Sequence, residues 1–254
     1  MKRGSINTAL ICVRLAVTTV MCFGMLSGGV LANSLGVPDS EYDALVALYN
    51  STAGGGWVSH QNWLTSATPW FGVTIESGHV GQIQLSSNNL SGSLPPQIGN
   101  LPNLRTLLLD GNHLTGQIPP EMGNMTAMDW LSLGDNQISG QIPMQFGNLA
   151  NFTQLELHNN LLTGPIPAQL GALSNLFVLR LSGNKLDGAI PSELGNLVGM
   201  QWLALDGNLL TGEIPHSIIN LTSLGQFWIK VQYNALSASD QAVIAFLADK
   251  SPGW

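Results

Sequence analysis

Leu107-Leu-Leu109-Asp-Gly-Asn112-His-Leu114-Thr-Gly116-Gln-Ile118-Pro119 decides the fold, because the same phrase returns almost unaltered at Leu155 to Pro167, Leu179 to Pro191 and Leu203 to Pro215. Its asparagines stand at Asn88, Asn112, Asn136, Asn160, Asn184 and Asn208, 24 residues apart at every step. A fixed period of this size marks a solenoid, in which each unit buries its apolar face only against its neighbours. The 254 residues therefore read as one elongated array rather than as several globules, and function is expected on a surface rather than in a closed pocket.

Within each unit, alternating apolar residues such as Leu107 and Leu109 have the two-residue period of a strand and point inward. Stacked units then form a parallel sheet along one side. Leu90, Leu114, Ile138, Leu162, Leu186 and Leu210 turn inward after the strand, and Gly-x-Ile-Pro returns along the opposite side. The recurring asparagine is a structural group: its amide satisfies buried backbone groups that would cost about 1 to 3 kcal/mol each if left unpaired. Glycines such as Gly116 and Gly164 serve tight backbone geometry, and prolines such as Pro119 and Pro167 fix φ where no ladder donor is needed.

The period predicts an asparagine at position 232, but the chain has Gln232 and places Asn234 two residues later. An insertion of two preserves strand parity, so Phe227, Ile229 and Val231 remain the inward set. About seven repeats are expected over residues 80–235. Ahead of them, residues 33–79 read as a cap: Ser40 looks like the N-cap of a short helix, and Trp57, Trp63 and Trp70 cover the exposed end of the core. Behind them, residues 236–254 close the other end with a helix capped by Ser239 and running through Asp249.

The first 32 residues stand apart. Lys2, Arg3 and Arg14 precede an apolar run that ends in Val30-Leu31-Ala32, the pattern of a secretory signal cleaved after Ala32. Leu15 to Ala32 is also long enough to reach across a bilayer, so a retained anchor is the competing reading. No later apolar run is long enough to span a membrane. Export to the extracellular space, the cell surface or the periplasm follows from either reading. Both cysteines, Cys12 and Cys22, lie in this segment, so the processed chain carries no disulfide.

Removal of the signal leaves Arg105, Arg180, Lys185, Lys230 and Lys250 against fifteen acids, a net charge of −10. A chain this acidic lacks the basic stripe that phosphate backbones require, which argues against nucleic acid as a partner. The sequence shows no nucleophile elbow, no phosphate-binding glycine loop and no metal-ligand spacing, so neither catalysis nor a cofactor nor a bound metal is expected.

The 24-residue unit with Gly-x-Ile-Pro resembles the plant-type leucine-rich repeat over about Tyr42 to Trp254. Thr68-Pro-Trp70-Phe-Gly72-Val73-Thr-Ile75 is similar to the cap of that family, with Thr68 and Ile75 where its two cysteines stand, so the family's capping disulfide is absent here. Glu41 to Tyr49, Tyr233 to Ser237 and Phe246 to Lys250 are similar to secreted bacterial members of the class. The resemblance implies an α/β solenoid, a right-handed leucine-rich repeat superhelix with its parallel sheet on the concave face and helical caps at both ends. It also implies recognition of proteins or peptides through that face.

The positions the phrase leaves blank are the outward residues of each strand. Six before each asparagine stand Gln82, Thr106, Trp130, Gln154, Val178, Trp202 and Trp228; four before stand Gln84, Leu108, Ser132, Glu156, Arg180, Ala204 and Lys230; two before stand Ser86, Asp110, Gly134, His158, Ser182, Asp206 and Gln232. Seven strands about 4.8 Å apart offer roughly 29 Å of surface, enough for a peptide or a protein edge. Trp130, Trp202 and Trp228 are the first binding candidates, since aromatic residues dominate interface hot spots; packing over neighbouring aliphatic groups is the other reading. Glu156 and Arg180 share a column in adjacent repeats and are expected to pair, while His158, Asp110, Asp206 and Lys230 complete the candidate face. A protein or peptide ligand is the leading expectation. A glycan-binding or adhesive module, with tryptophans stacked on polysaccharide, is the alternative.

Overall fold

The computed structural model describes residues 33–225, 228–251 and 253. The signal expected at residues 1–32 and the inward reading of Phe227 lie outside the described residues. Eight short strands form one long sheet: Val73–Glu76, His79–Gln84, Thr106–Leu108, Trp130–Ser132, Gln154–Glu156, Val178–Arg180, Trp202–Ala204 and Ile229–Lys230. The first pair is antiparallel and each later pair is parallel. Leu107 pairs with Leu131, and Leu131 with Leu155, one repeat on each time. At the last step Leu203 pairs with Ile229, so the two inserted residues are absorbed without a change of face. Ile229 and Val231 are buried accordingly.

The opposite side is more ordered than a plain return. Ser91–Ser93 and His113–Thr115 pair with each other, while Ser139–Gly140, Leu161–Pro165, Lys185–Gly188, Leu209–Glu213 and Ala235–Ser237 form a second sheet of five strands. Glycine ends two of these segments in the left-handed region, Gly140 with φ of 78° and Gly188 with φ of 74°. Proline then stops the ladder because it brings no N–H. Pro119, at φ −62° and ψ 128°, stands immediately before a short 3-10 helix, Pro120–Asn124, and the arrangement recurs up to His216–Asn220.

The buried asparagines bind consecutive units together. Asn160 donates to the carbonyls of Leu133 (2.9 Å) and Leu157 (3.2 Å), and its Oδ1 accepts the Ile138 N–H at 2.9 Å. Asn234 occupies the same slot in the last unit, donating to Leu205 O (3.0 Å) and accepting from Leu210 N–H (3.1 Å). The displaced asparagine thus completes the ladder. Tyr233 takes up the insertion with φ of 56° and is left 87% exposed.

Both ends are closed by helices. α1, Asp39–Ser51, is capped two residues earlier than the Ser40 expected from the sequence: Pro38 holds the capping position and no side chain caps the helix. Proline fixes φ there, and its carbonyl accepts the N–H groups of Glu41 and Tyr42, both at 3.0 Å. Trp57, Trp63 and Trp70 are all buried, with ring centroids 4.9 Å apart for Trp57–Trp63 and 5.0 Å for Trp63–Trp70. Tyr42 extends the stack at 5.5 Å from Trp70. Aromatic packing closes this end, and residues 33–254 contain no cysteine.

Glu41 adds a polar clasp that the sequence did not reveal. Its carboxylate is 2% exposed, lies 2.7 Å from His79 Nδ1 and accepts the Val80 N–H at 2.7 Å, tying α1 to the first long strand. At the other end α2, Gln241–Lys250, is capped by Asp240 rather than Ser239, through the N–H groups of Ala242 and Val243. Ser239 is engaged elsewhere, donating its own N–H to Glu213 at 2.9 Å. A hydrogen bond from His216, together with those backbone donors, holds the Asp240 carboxyl below the usual carboxylate range. Val243 and Leu247 are buried, and α2 packs against the short helix His216–Asn220.

Candidate functional site

The outward side of the long sheet carries a continuous run of contacts over five adjacent strands. Trp130 donates its indole N–H to Glu156 Oε1 at 3.1 Å. Glu156 Oε2 accepts from Arg180 Nη1 at 2.7 Å, with the two side chains 12% and 29% exposed. The guanidinium carbon of Arg180 lies 4.8 Å from the ring centroid of Trp202. Trp202 in turn meets Trp228 at 5.7 Å and 54° between ring planes. The common register makes this possible, because Trp130, Gln154, Val178 and Trp202 stand side by side, as do Ser132, Glu156, Arg180 and Ala204.

Burial along the run is graded. Trp130 and Trp202 are half-buried, and Trp228 is 48% exposed. Ser132 and Ala204 face outward yet are only 4% and 2% exposed, so larger neighbours cover these small residues. Trp130 and Trp202 therefore combine packing with presentation of ring surface. Trp228, at the last strand, presents the most.

The other candidates are not joined to the run. Asp110 accepts from Ser86 Oγ at 2.6 Å. His158 forms its own small cluster, with Nε2 3.3 Å from Asp135 Oδ2. Its ring lies over Gly134, where an added Cβ would come within 2.3 Å of Cε1. The glycine at that place in the outward column is the signal that could have predicted the buried ring. Asp206 is partly buried and Lys230 exposed, neither with an ion-pair partner among the described residues.

Sequence reading paired Glu156 with Arg180 but missed both flanking contacts, which run diagonally: Trp130 stands beside Gln154 yet bonds Glu156, and Arg180 stands beside Ala204 yet meets Trp202. It also left out Asp135 and Asp129, which lie at strand ends outside the three outward columns. Asp129 accepts from the Thr153 hydroxyl. On the return side, an open, uncharged depression of about 860 Å³ lies among Gln117, Gln141, Met144, Pro165 and Gln169. Among the described residues no helix is long and apolar enough to cross a membrane, and no group of three or more His, Cys, Asp or Glu is placed to hold a metal ion.

A leucine-rich repeat family model matches residues 80–101, 103–125, 128–149 and 175–197. Among solved structures, that of PEPR1–AtPEP1 is 31% identical, with a TM-score of 0.70 over 78% of this chain and 28% of that one. The plant peptide hormone receptor RGFR1 in complex with RGF2 is 37% identical, with a TM-score of 0.59 over 60% of this chain and 24% of that one. This chain thus spans about a quarter of the length of those two. A pollen receptor kinase 3 structure is matched over 97% of its own length and 78% of this chain, at 31% identity and a TM-score of 0.66. With the repeat phrase, the stacked parallel sheet and the asparagine ladder all in place, this agreement over a whole solved chain shows that the protein belongs to the leucine-rich repeat family, in its plant-type form.

Proposed function

We propose that the chain is an exported, non-catalytic recognition module that holds a peptide or protein segment along the outward face of its long sheet. The observation that carries this reading is the run from Trp130 through Glu156, Arg180 and Trp202 to Trp228. Trp130, Glu156 and Arg180 hydrogen-bond one another, and Trp202 is held between the guanidinium and Trp228, which fixes these rings in place before any ligand arrives. Preorganisation of this kind lowers the ordering cost of binding, and partly exposed indoles supply the apolar contact that dominates interface energetics. The complexes of PEPR1 with AtPEP1 and of RGFR1 with RGF2 support a peptide as the ligand class. Export accords with the signal-like first 32 residues.

Hydroxyl-radical footprinting tests the placement of the ligand. A partner captured from the extracellular environment should protect Trp228 and Trp202 from oxidation and leave Met144, exposed on the return side, unchanged. Protection of Met144 with Trp228 still fully reactive would move the binding surface to the other side. A polysaccharide panel run in parallel separates glycan stacking on the same rings from peptide recognition.

A further inference from the structure

Both oxygens of Glu156 are engaged within the chain, one by the Trp130 indole and the other by Arg180. A guanidinium in the middle of a recognition face is the group best suited to grip a ligand carboxylate through two parallel bonds. Here the charge is already neutralised: Glu156 accepts from Nη1, Nε is buried with no hydrogen-bond partner among the described residues, and Trp202 lies 4.8 Å from the guanidinium carbon. Along the same strands and their ends, Asp110, Asp129, Asp135 and Asp206 have no Lys or Arg partner among the described residues, against Lys230 as the lone unneutralised cation. The field over the face is therefore negative, and its most exposed large surface is the ring of Trp228.

We propose that Glu156 is the specificity-determining residue of this face: by neutralising Arg180 it excludes acidic segments and selects a basic, extended peptide segment with an aromatic or aliphatic anchor. The proposal rests on the sheet face being the peptide-recognition surface. A ligand carboxylate gripping Arg180 through two parallel bonds would compete with Glu156 for Nη1, and displacing Glu156, whose side chain is 12% exposed, would leave a poorly solvated carboxylate and the Trp130 N–H without partners, which is strongly unfavourable. A basic segment leaves the run intact. It is drawn by the surrounding carboxylates, and its cationic side chains also suit the open ring of Trp228. Exclusion through an unfavourable contact is as effective a source of specificity as a new favourable one.

Random-peptide display on the folded full chain tests this, with the wild type beside Glu156→Gln, Glu156→Gln/Arg180→Gln and Trp228→Ala. Glu156→Gln retains an acceptor for the Trp130 N–H but removes the charge that occupies Arg180. The wild type is expected to enrich sequences rich in Lys, Arg and aromatic residues and poor in Asp and Glu, with affinities that fall several-fold as salt is raised. Glu156→Gln is expected to enrich acid-bearing sequences at least about tenfold over the wild type, and the double variant to lose that gain. Acidic sequences on the wild type, or an unchanged profile on Glu156→Gln, would overturn the role of Glu156. Undiminished capture of the wild-type sequences by Trp228→Ala would instead overturn the sheet-face reading on which the proposal rests, as would a folded wild type that enriches nothing.

Discussion

Arg180 holds its guanidinium carbon 4.8 Å from the ring centroid of Trp202 on the adjacent strand while it bonds Glu156 at 2.7 Å on the other. One side chain thus couples a carboxylate to an indole across three strands. Arg180→Lys keeps the charge but loses the planar stack, and is expected to cost roughly 0.5 to 1 kcal/mol. A double-mutant cycle of Arg180→Ala with Glu156→Ala, followed by urea denaturation, should give a coupling of about 0.5 to 1 kcal/mol that shrinks with added salt. A coupling indistinguishable from zero would make the pair incidental to the face.

Asn160 joins two consecutive units through buried backbone groups. Asn160→Ala leaves the Ile138 N–H and the Leu133 carbonyl without that partner, and is expected to destabilise the array by about 2 to 4 kcal/mol in denaturant titration. Ligand affinity of the folded fraction should not change. Asn160→Asp should recover only part of the loss, since it keeps the acceptor and lacks the donors. Full stability in Asn160→Ala would contradict the structural assignment of the ladder.

His158 lies over Gly134, and no Cβ fits at that position without moving the ring. Gly134→Ala is expected to cost about 1 to 3 kcal/mol and to shift the imidazole resonances of His158. Adding His158→Ala should recover most of the loss, because the obstructing ring is gone. Additive losses in the double variant would place the strain elsewhere.

Glu41 is buried between α1 and the first long strand, where it bonds His79 and the Val80 N–H. Glu41→Ala should loosen the N-terminal end, with faster hydrogen exchange at Val80 and greater solvent exposure of Trp70 by fluorescence. The expected cost is about 1 to 3 kcal/mol from the unpaired amide and the lost carboxylate bonds. Glu41→Gln keeps an acceptor for Val80 and should retain most of the stability. Unaltered exchange at Val80 in the alanine variant would show that the aromatic stack alone secures this end.

The architecture was legible because it repeats. The leucines, asparagines and prolines state the same local choice in unit after unit, so periodicity gave the long sheet, its outward columns and the shifted last unit marked by Asn234. The second sheet was not legible, since Ser139–Gly140 and its counterparts are short polar segments without alternation. Caps were only half legible: the buried tryptophans were read correctly, but Asp240 takes the role given to Ser239, and Pro38 replaces a side-chain cap at α1. On the candidate face, register identified neighbours such as Glu156 and Arg180. Contacts that depend on side-chain reach, from Trp130 to Glu156 and from Arg180 to Trp202, emerge only in three dimensions.

Partner affinity of the folded Trp130→Ala/Trp202→Ala/Trp228→Ala variant tests the recognition role of the sheet face most directly. Truncating clustered aromatic anchors typically removes at least about 2 kcal/mol of binding free energy, so affinity is expected to fall at least about thirtyfold while the circular dichroism spectrum stays that of the wild type. Wild-type affinity in a folded triple variant would contradict the central claim and place recognition on another surface.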